Sequence, residues 1–508
     1  MYAKVNSLGL LGLNAFPVDV EIETSKGTPS FDIIGLADTV IRESRERIRA
    51  ALRSSYINFP LMRIIVNLAP ADTKKTGSVH DLAIFTAMLS VMGHITADIS
   101  KSAFIGEIAL NGDLRGISGV LPMVLLAKKE GFTDVFVPEI NSYEASVVDG
   151  IRVYAVKNTA ELIKHFDGSR PIMPCKPYDL QSGRVPEDID YAEVKGQQSA
   201  KKALEVAAAG GHNVLMIGAP GSGKSMMAKR IVTILPEMTF DESIETTNIH
   251  SICGVLDPDT PLVTRRPFRS PHHTISSVGL AGGGSIPHPG EISLAHNGVL
   301  FLDELAEFPR TTLEILRQPL EDKKITISRE SGTITYPCSF MLIAAMNPCP
   351  CGYYGNKTHE CRCSPNQIKN YLSRISGPML DRFDIHCRIN PVEYNEIASN
   401  AKEESSEAVR ERVCRAREIQ NERYKGTGIT CNAGITDGLI GEVCPLTDDA
   451  EKMIKSAFDR LGLSARGYNR LLKLSRTFAD IEGRDTIDKT DVANAIQYRT
   501  LDRQFWGR

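Results

Sequence analysis

Hydrophobic and polar positions change period in successive blocks along the chain. Val18-Asp19-Val20-Glu21-Ile22-Glu23 alternates strictly, which predicts a strand with one buried face. Ile64-Ile65-Val66-Asn67-Leu68 is a short apolar run suited to a buried strand, and Asp81 to Val91 has the apolar density of a helix. This mixture of strands and helices continues to about Phe166. Residues 171–190 then carry four prolines and no periodicity, which predicts a linker.

From Tyr191 to Asn395 short apolar strands alternate with Gly-rich turns and helices, the pattern of an α/β nucleotide-binding core. Within it, Lys324-Ile325-Thr326-Ile327-Ser328 and Gly332-Thr333-Ile334-Thr335-Tyr336 alternate around Arg329-Glu330-Ser331 and predict a β-hairpin. After Val392 the chain turns helical and charged, with both signs closely spaced from Glu403 to Tyr424. Thr447 to Arg499 holds three or four amphipathic helical patterns, read as a helical lid. The expected domains are therefore 1–170, a linker at 171–190, an α/β core at 191–395 and a lid at 396–508.

A chain of 508 residues exceeds one core, since domains usually hold about 100–200 residues. Lys+Arg 59 against Asp+Glu 62 leaves a net charge of -3, which excludes a broadly basic protein and, as an average, weighs against nucleic acid. The N-terminal stretch lacks the basic flank and apolar core of a signal peptide, and no run of about 18 apolar residues follows. The expectation is a cytoplasmic protein without a membrane partner. In that reducing setting its cysteines would serve as packing, metal ligands or reactive thiols.

The candidate chemistry begins where the apolar run Asn213 to Ile217 enters Gly218-Ala219-Pro220-Gly221-Ser222-Gly223-Lys224-Ser225, followed by Met226 and a helix. This is the G-x-x-x-x-G-K-[ST] spacing, in which turned backbone amides and a helix N-terminus cradle phosphate. Lys224 would neutralise phosphate charge and Ser225 would ligate Mg²⁺, making ATP with Mg²⁺ the expected ligand. Val299 to Leu302 delivers Asp303 and Glu304 to the same edge, Asp303 for Mg²⁺ and Glu304 as general base for the attacking water. A third strand, Phe340 to Met346, ends at Asn347, whose amide could orient that water or serve only as a turn residue before Pro348.

Together these residues resemble the AAA+ ATPases, whose third strand ends in a sensor asparagine. The resemblance makes Arg382, in Gly377-Pro378-Met379-Leu380-Asp381-Arg382-Phe383-Asp384, the expected finger onto a neighbouring subunit's nucleotide. Arg374 would be a second such contact or a surface cation. In the lid, Ser464 to Leu472 looks like the helix that sends an arginine to the γ-phosphate, with Arg470 favoured by register and Arg466 as the alternative.

Two segments narrow the subfamily. Arg265-Arg266-Pro267-Phe268-Arg269-Ser270-Pro271-His272-His273, with Gly282-Gly283-Gly284 and Pro289 to His296, lies between the phosphate loop and Asp303. With the hairpin, this looks like the magnesium-chelatase/MCM branch, which carries a helix-2 insert and a hairpin before the sensor. Phe31-Asp32-Ile33-Ile34-Gly35-Leu36-Ala37-Asp38, Val66 to Asp72 and Gly290 to His296 extend the likeness to the ComM/YifB group of magnesium-chelatase-like proteins. That resemblance implies a homohexameric DNA motor for branch migration in recombination or natural transformation, with recombination proteins as candidate partners. In a ring, Arg265, Arg266 and Arg269 would line the pore in six copies and hold branched or single-stranded DNA by its phosphates, or would pair with acids inside the protein. A chelatase motor subunit inserting metal into a tetrapyrrole is the alternative.

The first domain resembles the Lon-protease α+β fold, which raises ATP-dependent peptidase activity as a further alternative. Its serine and lysine positions fall on Val79, beside Ser78, and on Leu121, so a non-catalytic domain is expected. Finally, Cys349, Cys351, Cys361 and Cys363 form a C-x-C…C-x-C set within fifteen residues. Four thiolates at this spacing can close a structural Zn²⁺ site, with His359 as a substitute ligand; chance reduced thiols or a redox switch are the alternatives.

Overall fold

In a computed structural model the chain divides into two units, each with its own apolar core. The structure describes residues 1–178, 189–257, 259–284, 287–329, 332–356, 359–391, 403–499, 501 and 505–506. One unit is Met1–Arg184 with Thr239–Thr264; the other is Val185–Met238 with Arg265–Arg508. Residues 179–188 of the expected linker, the hairpin turn at Glu330-Ser331 and the 395/396 boundary lie outside the described residues. No helix among the described residues is long and apolar enough to cross a membrane.

The first unit is a seven-stranded mixed sheet, in the order Ser30–Ile34, Arg63–Ala69, Asn14–Ser25, Tyr2–Leu11, Ser102–Phe104, Asp134–Pro138, Arg152–Val156. The alternating run is the middle of Asn14–Ser25, whose Val18, Val20 and Ile22 are fully buried while Asp19 and Glu21 stand on the other face. Helix Asp81–Val91 is buried on nearly every side, which is why its sequence has no polar face. Its one charged residue, Asp81, accepts from Arg47 Nε at 2.6 Å. Burial pushes the Asp81 carboxyl up, although Arg47 and Ser44 pull it the other way.

Residues 239–264, which sequence order assigns to the ATPase core, instead belong to this first unit. Helix Phe240–Ile252 starts at a Thr239/Glu242 capping box and contributes Ser251, whose hydroxyl donates to the buried Glu144 carboxylate. The proline-rich stretch also departs from a free linker at its start. The Cys175 amide donates to Val153 O at 2.8 Å and the Tyr178 amide to Ser146 O at 3.0 Å. A pattern of prolines predicts the absence of helix; it does not exclude docking along a strand.

The second unit is built on a five-stranded parallel sheet, in the order Phe268–Arg269, Val299–Leu302, Met341–Met346, Val214–Gly218, Ile385–Ile389. The strand leading to the phosphate loop thus lies between the strand ending at Asn347 and the last strand. The first, third and fourth strands in chain order of this central group are wholly apolar and buried, as expected when helices cover both faces. Helix Gln198–Gly210 packs under them, and helices Ser406–Arg423, Asp448–Leu461, Ala465–Ile481 and Lys489–Gln497 complete the same apolar core. The predicted hairpin is present as Lys324–Arg329 against Gly332–Pro337, with Ile325 opposite Tyr336. Its Tyr336 hydroxyl donates to Pro287 O at 2.8 Å, so hairpin and insert are packed together.

Candidate nucleotide-binding site

Parallel strands deliver their C-terminal ends to one edge of the sheet, and the predicted chemistry converges there. Pro220 to Met226, Asp303, Glu304, Met346 and Asn347 line one cleft of ≈ 400 Å³. Gly221 and Gly223 adopt φ of 72° and 89°, left-handed values that a side chain would strain. The turn they permit lets helix Lys224–Arg230 begin with its N-terminus toward the cleft.

Lys224 Nζ donates to Gly218 O at 2.8 Å, Ala219 O at 2.9 Å and Asn347 Oδ1 at 3.2 Å. Burial lowers its ammonium below the usual lysine range, while Asp303 and Glu304 pull it back up. Ser225 Oγ donates to Asp303 Oδ2 at 2.5 Å, bringing together the hydroxyl and carboxylate oxygens suited to a hard divalent cation. Asp303 also accepts the Glu304 amide at 2.9 Å, through Oδ1. Glu304 sits at φ 52°, in the left-handed region.

One contact escaped the sequence reading. His273 Nδ1 lies 3.1 Å from Glu304 Oε2, linking the end of the Arg-rich segment to the candidate base. The His272-His273 pair was the available signal, but chain spacing gave no reason to aim it at Glu304.

Within the single chain the expected arginines Arg382, Arg470 and Arg374 have partners of their own. Arg382 is 6% exposed in its side chain and pairs with Glu321 Oε1 at 2.5 Å. Arg470 lies outside the cleft lining and is 3.6 Å from Asp384 Oδ1, while Arg466 is exposed. Burial would raise Asp384, but His212, Arg470 and the Asn213 amide outweigh it and hold the carboxyl well below its ordinary range. Arg374 is half exposed, with Nη1 2.7 Å from Glu307 Oε2.

Among the proposed pore arginines, Arg266 and Arg269 make internal contacts. Arg266 donates to Pro236 O at 2.6 Å and Asn297 O at 2.8 Å, and Arg269 makes a bidentate pair with Glu291 at 2.6 and 2.7 Å. Loop carbonyls left without ladder partners need such donors, a requirement that local charge density cannot reveal. Arg265 is exposed.

The peptidase positions carry no catalytic pair. Leu121 is fully buried and Val79 packs against the same apolar cluster. Ser78 donates to Glu107, and Lys75 is buried and donates to Pro70 O.

The four expected cysteines do converge: their Sγ atoms all lie within 4.8 Å of one another. His359 instead stacks on Tyr353 with ring centroids 5.1 Å apart.

Three family descriptions match the chain. They are "Magnesium chelatase, subunit ChlI" over residues 190–397, "Subunit ChlI of Mg-chelatase" over 20–141 and "Magnesium chelatase, subunit ChlI C-terminal" over 403–499. Uncharacterized protein YifB of Escherichia coli is 41% identical over 503 residues, spanning 98% of this chain and 97% of that protein. Competence protein ComM of Haemophilus influenzae is 40% identical over 507 residues, spanning 99% and 98%. The magnesium-chelatase 67 kDa subunit of Heliobacterium mobile is 24% identical over 345 residues, 62% of this chain and 48% of that subunit.

Proposed function

Because the chain belongs to the ComM/YifB group of magnesium-chelatase-like proteins, we propose that it is an ATP-hydrolysing ring motor that moves branched or single-stranded DNA, with a role in competence. The observation that carries the ATPase reading is the convergence of Lys224, Ser225, Asp303, Glu304 and Asn347 on one cleft. The full-length likeness to a competence protein favours DNA over a tetrapyrrole as the substrate, since the chelatase match covers less than half of that subunit.

In this reading the loop amides and Lys224 bind the phosphates, with Lys224 exchanging its carbonyl contacts for phosphate oxygens. Ser225 and Asp303, which meet through a hydrogen bond, would hold Mg²⁺, and the ion would neutralise charge on the phosphates. Glu304 takes the proton of the attacking water and Asn347 orients that water. Arg382 and Arg470 reach nucleotide only if assembly or binding exchanges their pairing with Glu321 and Asp384. Arg265 would supply phosphate contacts in the ring, and the four converging cysteines would hold structural Zn²⁺.

The test is ATP-dependent migration of a synthetic three- or four-way DNA junction. Wild type should migrate it, and Glu304→Gln should bind nucleotide while losing about 10²–10⁴-fold in turnover. Intact ATPase activity without junction migration or stimulation by DNA would refute the DNA motor and favour the chelatase reading.

A further inference from the structure

The cysteine cluster has a geometry suited to one tetrahedral ion. Cys349 Sγ lies 3.3 Å from Cys351 Sγ and 3.7 Å from Cys361 Sγ, and Cys351 and Cys361 are 3.6 Å apart. Zinc–sulfur bonds of about 2.3 Å directed to tetrahedral corners separate the sulfurs by about 3.8 Å. A disulfide would need about 2.05 Å, and all four cysteines are free. The Tyr354 amide donates to Cys349 Sγ at 3.3 Å, the kind of outer contact that orients a ligand sulfur.

The same loop touches the nucleotide site directly. It begins two residues after Asn347, and Gly352 turns it back at φ 85° with its amide donating to Cys349 O at 2.9 Å. A Cβ at Gly352 would lie 2.4 Å from Pro220 Cδ, so the glycine allows the knuckle to rest on the phosphate loop. From the other side, Arg388 donates to Gly355 O. Arg388 stands on the strand paired with Val214–Gly218, opposite Ile217. Apart from buried Cys349 and Gly352, the described residues from 349 to 363 are half-buried or exposed, so little apolar burial is available to order them.

We propose that a thiolate-bound divalent ion of the zinc class, held by Cys349, Cys351, Cys361 and Cys363, braces Pro220 and Asn347 so that metal loading sets nucleotide affinity. Loading forms four metal–sulfur bonds and releases the thiol protons to solvent. Loss of the ion frees the knuckle from Pro220, and the phosphate loop loses one wall. This coupling rests on the nucleotide-binding reading of the cleft.

The test measures zinc content and the affinity of a fluorescent ATP analogue on the purified full-length chain. The expectation is about one zinc per chain. Cys363→Ser, or chelation of the wild type, should remove the metal and weaken nucleotide binding by about tenfold or more. Readdition of zinc should restore the chelated wild type. Gly352→Ala keeps all four cysteines and should retain zinc while still weakening nucleotide binding, which separates the contact from a folding failure. Zinc-free protein after reconstitution would overturn the metal site. Stoichiometric zinc with unchanged affinity in the stripped protein or in Gly352→Ala would overturn the coupling alone. Zinc-loaded wild type that binds no nucleotide would instead overturn the nucleotide-site reading, and the coupling with it.

Discussion

Asp480→Asn tests how the lid holds the helix that carries Arg470. Asp480 is 1% exposed near the end of helix Ala465–Ile481 and is the charge partner of two arginines. It accepts from Arg423 Nη1 at 2.9 Å, Arg423 Nη2 at 2.5 Å, Arg476 Nε at 3.0 Å and Asn432 Nδ2 at 2.8 Å. Arg476 is fully buried, and its other donors go to the carbonyls of Arg484 and Asp485. Burial would lower the Arg423 guanidinium, but Asp480 outweighs it and holds it above its ordinary value. The amide keeps the shape of the carboxylate and removes its charge, which leaves the buried Arg476 and the half-buried Arg423 without that counterion.

Removing one partner of a buried pair costs about 3–5 kcal/mol. For cooperative unfolding of the second unit, roughly 300 residues at about 2.1 cal/mol/K each give an unfolding entropy near 0.6 kcal/mol/K. The apparent Tm should therefore fall by about 5–8 °C, read by circular dichroism or scanning calorimetry on matched samples. A fall below about 2 °C would refute the reasoning, because Asp480 would then be worth no more than an exposed ion pair.

Two further outcomes follow from particular contacts. His80 is buried against Ser7 Oγ at 2.9 Å, and burial, aided by the Lys75 charge, holds its imidazole down to about 3. The unfolded chain takes up a proton near pH 6.5 that the folded one refuses, so this stability is complete above that pH. It should decline by up to about 1.4 kcal/mol per pH unit as the pH falls toward the folded value. His80→Gln should flatten the dependence in denaturant titrations at successive pH values; parallel curves for both proteins would count against it. Arg265→Glu should lower the slope of log affinity for DNA against log salt by about one or more, whereas Arg266→Ala should act on stability through its carbonyl contacts. An unchanged slope in Arg265→Glu would remove that residue from the DNA path.

The presence of the strands and the residues of the cleft were legible because both depend on local chemistry. A run such as Val299 to Leu302 must be buried, and adjacent carboxylates at its end must leave the sheet at the edge where the other strands also end. Gly221, Gly223 and Lys224 stood out by spacing alone, since few backbones other than a phosphate-binding loop need that combination. The four cysteines were equally legible, as two C-x-C pairs joined by a short loop have few ways to avoid one another.

Arginine partners and domain membership were not legible, and the reason is the same for both. A guanidinium on a long flexible stem takes whichever acceptor the folded chain leaves unpaired nearby, so Arg266, Arg269, Arg382 and Arg470 look alike in sequence. Their neighbours in space are Pro236, Glu291, Glu321 and Asp384. Helix Phe240–Ile252 has a start signal in its capping box but nothing that names the unit it will join. The sequence by itself determined the strands, the phosphate loop, the acids beside it and the cysteine cluster, because periodicity and fixed spacing are properties of neighbouring residues. Only the tertiary structure decided which arginines are tied down, that His273 meets Glu304, and that Gly352 rests on Pro220, because each depends on segments that approach only after the sheet has formed.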